Sequence, residues 1–152
     1  MKKLLYLLLL VLVVGACKSK KETIIVTPDD VAEIISDMSV DKLNNVWKLV
    51  SMEGNLVSPA NFSSDVPSIM IDSKSNSFDG VDGCNMLRGG VVVKENSVKF
   101  NPSMTTRKMC KKSDFSNKFS QLLTSGDLSY KIVDNSLFLY SGDKEVLKFE
   151  SE

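Results

Sequence analysis

The sequence predicts a mostly β (α+β) fold: a small curled antiparallel sheet or barrel with one long amphipathic helix. Two observations lead to this fold class. From Val46 to the C-terminus, short stretches of alternating apolar and polar residues recur between turn residues, which is typical of strands with one buried face. Within this region one stretch, beginning at Ser113, has helical periodicity instead. One helix and several short strands bury their apolar faces best when the helix packs on a curled sheet.

The first half of this domain is predicted to contain four strands and one long loop. The strands share alternating apolar residues and cover residues 46–52, 67–72, 87–94 and 97–100. Glu95-Asn96 joins the last two strands in a hairpin. Residues 54–67, which are rich in Asn, Ser and Pro, are predicted to form a surface loop. Phe78 leads into a predicted turn from Asp79 to Gly83.

The second half is predicted to contain the helix and a three-stranded meander. Ser113 and Asp114 can start the helix, and Gly126 is placed to terminate it. One helix face is predicted to lie in the core and carries Phe115, Phe119, Leu122 and Leu123. The following apolar alternations, around residues 128–132, 137–140 and 147–149, are separated by turn residues and predict the meander.

The N-terminus has the three parts of an export signal. Positively charged residues Lys2 and Lys3 precede an apolar run from Leu4 to Val14, and Gly15-Ala16 supplies the small residues of a cleavage site. The run is too short to span a bilayer core, which takes about 20 residues. Because Cys17 follows the small residues directly, residues 1–16 are predicted to be a lipoprotein signal peptide and Cys17 the lipidated residue. The alternative is a secreted protein with a chance cysteine at this position.

Residues 17–42 are predicted to be a lipidated tether with a short helix, followed by a domain over residues 43–152. The helix, at about residues 28–38, has Thr27 as its N-cap and Pro28 at its first position. Its apolar face is expected to dock on the domain, or else on a partner or the membrane. Lys18-Ser19-Lys20-Lys21 lacks an acidic run, so the protein is predicted to be anchored in the outer membrane and to face the periplasm.

Composition argues against several classes of function. Without Lys2 and Lys3, the mature chain has 17 basic and 19 acidic residues, which gives it a net charge of about −2. This charge indicates no nucleic-acid partner. The chain contains no histidine, which excludes Ser-His-Asp and Cys-His nucleophile pairs and the common zinc sites. The sequence therefore predicts a protein that is not an enzyme and has no cofactor or metal.

Cys84 and Cys110 remain as one pair once Cys17 is assigned to the lipid. In an exported protein such a pair is expected to form a disulfide. The competing interpretation is two buried free thiols that act as small apolar core residues. A catalytic thiol is disfavoured because no histidine is present to generate a thiolate.

Three segments carry a family resemblance: Val46-Trp47-Lys48-Leu49, residues 80–85 (Gly-Val-Asp-Gly-Cys-Asn) and residues 106–110 (Thr-Arg-Lys-Met-Cys). With them, over about residues 43–150, the chain resembles the META domain of HslJ-like heat-shock lipoproteins. It departs from the family pattern at Lys108 and Met109. The resemblance implies an antiparallel β fold with one long helix, a link to the bacterial envelope and stress tolerance, and no established catalytic activity. The motif residues, with a structural or binding role, are Trp47, Gly80, Gly83, Asn85 and Thr106.

The polar motif residues have structural interpretations. Asp79 and Asp82 lack the spacing of a calcium loop and are interpreted as turn residues. Asn85 is expected to satisfy buried backbone groups, although its amide could bind a ligand. A basic cluster is interpreted as a solvated face, with contact to anionic lipid or lipopolysaccharide as the alternative; it comprises Arg107, Lys108, Lys111 and Lys112.

Two function classes therefore remain open. The first is a non-catalytic envelope protein that binds another envelope protein or contributes to stress tolerance. The second is a barrel that binds a small apolar ligand in the periplasm. A carrier needs an internal cavity of several hundred cubic ångströms. The residues that point inward separate the two classes, because a barrel packed solid leaves no such cavity; the candidates for this packing are Trp47, Phe78, Phe100, Phe115 and Phe119.

Overall fold

The computed structural model describes residues 40–152; the predicted signal peptide, Cys17 and the helix at about residues 28–38 lie outside the described residues. Residues 40–152 form nine strands and one α-helix. The strands are β1 (Val46–Met52), β2 (Asn55–Leu56), β3 (Ser68–Asp72), β4 (Ser77–Val81), β5 (Met86–Lys94), β6 (Ser97–Thr105), β7 (Leu128–Val133), β8 (Ser136–Ser141) and β9 (Lys144–Ser151). Helix α1 (Ser113–Leu123) connects β6 to β7, and a short 3-10 turn (Pro59–Asn61) follows β2.

The strands form one antiparallel sheet that curls until its ends meet. Neighbours along the sheet follow the order β2-β1-β3-β4-β5-β6-β7-β8-β9, and β1 also pairs with β9. The mostly β, curled fold with one helix in the domain is thus confirmed. One seam of this closed sheet is weak, because β6 and β7 pair only at Ser97 with Ser129 and at Val98 with Leu128. From Lys99 to Thr105, strand β6 has β5 on one side and no strand on the other.

The interior of the closed sheet is filled by side chains from alternate strand positions, as period-two burial requires. Trp47 is buried, and its indole Nε1 donates a hydrogen bond to the Leu43 carbonyl at 2.9 Å. Phe78 packs edge-to-face on Phe100 with ring centroids 5.2 Å apart. The largest fully buried side chains are those of Trp47, Phe78, Phe119, Phe149, Leu43, Ile69, Leu123, Leu128, Leu137, Leu139, Leu147 and Val91.

Helix α1 packs on this core through fewer aromatic residues than the sequence predicts. Its buried residues are Ser116, Phe119 and Leu123, and the ring of Phe119 meets Phe149 of β9 at a centroid distance of 6.3 Å. Phe115 is 41% exposed, so its prediction as a core residue is wrong. It sits at the margin of the buried face, where its ring packs against Phe62 from the loop after the 3-10 turn, 5.9 Å away.

Three boundaries also differ from prediction. The predicted turn at residues 79–83 begins only at Asp82, because the preceding three residues belong to β4. Gly80 permits close packing of β4 on β3, because a Cβ at this position would lie 2.5 Å from the Ser68 carbonyl oxygen. The predicted surface loop at residues 54–67 contains β2 and the 3-10 turn, and its Phe62 is buried. Strand β6 continues five residues beyond the predicted end at 100, because pairing with β5 holds this exposed, polar stretch extended.

Glu53, in the turn after β1, ties the helix to the sheet. Its carboxylate pairs with Lys118 of α1 at 2.5 Å and with Lys144 of β9 at 2.5 Å. The hydrogen bond from Lys118, together with that from Lys144, lowers the pKa of Glu53 from 4.5 to about 2. Because its pKa is lower in the folded chain, these pairs stabilise the fold above pH 4.5, and this contribution is lost as the pH falls toward 2.

We therefore expect Glu53→Gln to lower the melting temperature at pH 7 and to make little difference near pH 2. Thermal unfolding followed by circular dichroism at several pH values would measure this convergence. Glu95→Gln is the matched control, because Glu95 lies in the exposed β5–β6 turn without an ion pair among the described residues. If the melting temperature of Glu53→Gln stays below that of the native chain by the same amount from pH 7 to pH 2, the ion pairs of Glu53 do not account for the loss of stability.

Candidate functional site

The turn between β4 and β5 is organised by the carboxylate of Asp82, which is only 6% exposed. Its Oδ1 accepts hydrogen bonds from the backbone N–H groups of Cys84 at 2.8 Å and Asn85 at 2.6 Å. Its Oδ2 accepts one from Ser120 Oγ of helix α1 at 3.4 Å. Asp82 is therefore a turn residue in the sense expected from glycine-rich turns. Asp79 has a different role, because it lies in β4 and forms an ion pair with Arg88 of β5.

Gly83 allows the loop after the 3-10 turn to cover this turn. Its φ of +90° lies in the region that favours glycine, and a Cβ at this position would collide with the ring of Phe62. The Gly83 carbonyl also accepts hydrogen bonds from the backbone N–H groups of Ser63 at 3.2 Å and Ser64 at 3.0 Å. The second glycine of the motif thus serves both backbone conformation and close packing.

Asn85 joins the turn to the segment that follows β6. Its Oδ1 accepts hydrogen bonds from the backbone N–H of Lys108 at 2.8 Å and from Thr106 Oγ1 at 3.2 Å, and its Nδ2 lies 3.3 Å from Cys84 Sγ. Thr106 Oγ1 in turn accepts from the Met86 backbone N–H at 3.0 Å. The side chain of Asn85 is therefore used in internal contacts, which is the structural role that its position in a tight turn suggests.

A disulfide between Cys84 and Cys110 closes the same connection covalently, with the two Cα atoms 6.1 Å apart. The disulfide and the side chains of Asp82, Asn85 and Thr106 are called the latch below. The latch brings together two of the motif residues, Asn85 and Thr106, with the predicted cysteine pair. Trp47 is engaged elsewhere, at the start of β1, and Gly80 lies within β4.

An open cleft of about 1120 Å³ lies beside the latch, between the second half of β6 and helix α1. Buried side chains of Phe78, Leu87 and Leu123 form part of its lining. One wall is β6 from Pro102 to Thr105; the other is α1, which contributes Asn117, Ser120, Gln121 and Thr124. This cleft was not predicted from the sequence. Pro102 was its one signal, because proline within a sheet is confined to edge strands or bulges.

The predicted basic cluster divides into two parts. Arg107 and Lys108 lie at the cleft, and their side chains, like that of the exposed Lys111, form no ion pair within residues 40–152. Lys112 instead holds the 3-10 turn, because its Nζ donates to the Ala60 carbonyl at 2.6 Å. Its backbone N–H also donates to Ser63 Oγ at 3.0 Å.

The described part of the chain has neither a metal-binding cluster nor a helix that could span a membrane. Residues 40–152 contain no group of three or more Cys, Asp or Glu residues that could hold a metal ion. Over the same residues, no helix has the length and apolar character needed to cross a membrane.

The comparisons with known proteins identify the family. The family model of the META domain matches residues 40–152, so the chain belongs to the META domain family. None of the functionally curated proteins matches the sequence.

Solved structures of low sequence identity share the fold. A protein from Burkholderia xenovorans, solved by NMR, is 16% identical and aligns over 76% of this chain and 87% of its own, with a TM-score of 0.58. A DUF4847 family protein from Bacteroides vulgatus ATCC 8482 is 14% identical and aligns over 78% of this chain and 97% of its own, with a TM-score of 0.54. The protein of another NMR structure is 21% identical and aligns over 72% of this chain and 90% of its own, with a TM-score of 0.53.

We expect Asn85→Ala to destabilise the domain by about 1 kcal/mol, because Lys108 N–H and Thr106 Oγ1 both lose an internal partner. Urea unfolding with the disulfide intact would measure the change. Asn101→Ala is the matched control: Asn101 is exposed in β6, its side chain has no hydrogen bond within the described residues, and its loss should cost less than about 0.5 kcal/mol. Equal free energies of unfolding for the two variants would show that Asn85 does not hold the latch.

Proposed function

We propose that this protein is a lipid-anchored, non-catalytic component of the bacterial envelope that binds another envelope protein and contributes to stress tolerance. One observation carries the proposal: the polar motif residues of the domain are engaged with one another. The Asp82 carboxylate, the Asn85 amide and the Thr106 hydroxyl each have internal partners. A side chain that must keep such bonds to hold the fold is poorly suited to act as an acid, base or nucleophile.

The remaining chemistry of the chain also favours binding over catalysis. There is no histidine in the sequence, and both cysteines of the domain are joined in the disulfide. A thiol can act as a nucleophile only as a free thiolate. The open cleft, in contrast, offers polar and apolar groups side by side, as recognition surfaces do. No cofactor is part of the proposal.

The lipid anchor is argued from the sequence, in which Cys17 follows the apolar run and Gly15-Ala16. Twenty-two residues separate Cys17 from Val40, where the described domain begins. At about 3.3 Å per residue, the distance from Cys17 to Val40 is at most about 76 Å. The tether therefore permits the domain to meet a partner at some distance from the membrane, and we place it on the periplasmic face of the outer membrane.

A barrel that carries a small apolar ligand is the less favoured function. The centre of the closed sheet is occupied by buried side chains, including those of Trp47, Phe78 and Phe149. The large cleft lies between β6 and α1, and its walls carry hydroxyl and amide groups. Apolar carriers instead need an enclosed cavity, whereas this cleft is open to solvent.

The anchor is tested by Cys17→Ser. We expect the native chain to incorporate labelled fatty acid and to sediment with membranes. The Cys17→Ser chain should lose the label and should not be processed as the native chain is, because serine offers no thiol for the lipid. The double variant Cys84→Ser/Cys110→Ser is the matched control for loss of cysteine and should keep the label. Fatty-acid labelling of Cys17→Ser with normal processing would contradict the anchor, and protease treatment of intact cells would test the face.

A further inference from the structure

We propose that the cleft between β6 and α1 binds an extended, acidic segment of a partner protein, which adds to β6 as a further strand. The inference rests on the proposed function, because it names the chemistry of the partner at the binding surface. Three features of the cleft carry it: an unpaired strand edge, a polar helical wall over apolar side chains, and an excess of positive charge.

The second half of β6 presents an unpaired edge to the cleft. The backbone N–H of Thr106 points toward β5, because it donates to the Met86 carbonyl at 3.2 Å. Since backbone groups alternate along a strand, the N–H and C=O of Thr105 point to the opposite edge. Residues 101–105 are exposed, and no strand lies beyond them. This edge can accept the backbone of a peptide, as in other cases of strand addition.

The rest of the cleft suits the two faces of a strand. Exposed Asn117 and Gln121 of α1 carry amides that can both donate and accept hydrogen bonds. Phe78, Leu87 and Leu123 offer apolar contact to side chains that point inward. Because successive side chains of a strand point to opposite faces, a segment with alternating apolar and polar residues can use both parts of the cleft.

The unpaired edge decides against two other occupants. An apolar ligand over Thr105 would remove its N–H and C=O from water without giving them partners, at a cost of about 1–3 kcal/mol for each group. A second copy that pairs through the same β6 edge would bring Pro102, which has no N–H, and the register shift of β6 near that residue into the ladder from both strands, whereas a free peptide adds neither.

The charge of the cleft favours an acidic segment. Asp79 is paired with Arg88, and the Asp82 carboxylate accepts three hydrogen bonds from the turn and α1. Arg107 and Lys108 remain without an ion pair among residues 40–152. Lys108 contributes to the latch through its backbone N–H, so its ammonium group is available to a partner.

The test uses the mature chain with its lipid and disulfide, in detergent micelles. The probe is a fluorescent peptide of about nine residues in which valine and threonine alternate with glutamate. We expect saturable binding, and binding about tenfold weaker or more for a peptide with lysine in place of glutamate. A peptide that is N-methylated at alternate residues cannot form the backbone hydrogen bonds to β6, so it should bind as weakly as the lysine peptide. The amide of Thr105 should become protected from hydrogen exchange.

Two double variants of equal charge change locate the site. Arg107→Glu/Lys108→Glu should weaken binding of the acidic peptide about tenfold or more. Lys94→Glu/Lys131→Glu, with both positions exposed and outside the lining of the cleft, should change it less than about twofold. Equal losses in the two variants, equal binding of the lysine peptide, or an unprotected Thr105 amide would overturn the proposal.

Phosphatidylglycerol vesicles separate lipid contact from peptide binding. If vesicles bind through Arg107 and Lys108 while the acidic peptide does not bind, the cleft inference is wrong and the cluster is a lipid contact. In that case fatty-acid labelling at Cys17 would still support the anchored protein of the proposed function. If the native chain carries no fatty-acid label but still binds the acidic peptide, the proposed lipid anchor is wrong and the inference about the cleft stands.

Discussion

The short pairing between β6 and β7 leaves an opening in the closed sheet, and the latch and helix α1 lie at this opening. An antiparallel sheet that closes on itself has no free edge if every neighbouring pair of strands is complete. Here the chain leaves β6 to form α1 before it returns as β7, and the two strands pair only near Ser97 and Val98. Beyond that point β6 is held by β5 alone, so its second half needs support from outside the sheet.

The latch gives that support. It connects the β4–β5 turn to the segment after β6 through Asn85, Thr106 and the disulfide, while the bond from Ser120 to Asp82 connects the same turn to the helix. The disulfide spans 26 residues, and closing a loop of this length restricts the unfolded chain by about 3.5 kcal/mol in the entropic account. For a domain of this size, that is a considerable share of the free energy of unfolding.

The same arrangement explains how an open cleft lies beside an otherwise complete core. Phe119 and Leu123 anchor α1 on the interior, and Glu53 joins the helix to β9 through Lys118 and Lys144. The helix therefore stays at a fixed place beside β6, where it packs on the core without pairing with the strand edge. A preformed opening with an unpaired edge lowers the ordering cost of binding, because the protein side of the interface is already in place.

The sequence predicted the elements whose burial has a regular period. The bounds of β1 agree with its alternation around Trp47, and the meander β7 to β9 follows from its apolar residues. The predictions were wrong where tertiary packing, and not the local pattern, determines the position of a residue. Gly80 resembles a turn residue and instead permits close approach of β3, while Phe115 has helical spacing and instead meets a loop.

The cleft was not predicted for the same reason, and only part of the site was. Local patterns select the residues of the turn, and Asp82 and Asn85 have the structural roles that their neighbours suggest. The cleft, however, depends on where β7 stops pairing with β6. That pairing joins positions about 30 residues apart in the chain, Ser97 with Ser129 and Val98 with Leu128, and no local period reports it.

If the latch holds the second half of β6, reduction of the Cys84–Cys110 disulfide should loosen the segment that follows this strand. Amide hydrogen exchange of the mature chain before and after reduction measures this change. We expect faster exchange at Lys108 and Thr106, whose N–H groups bond to Asn85 and Met86, and a lower melting temperature. Ile71, whose N–H bonds to Asn45 just before β1, should exchange as before. Unchanged exchange at Lys108 and Thr106 after complete reduction would show that the latch does not hold this part of the chain.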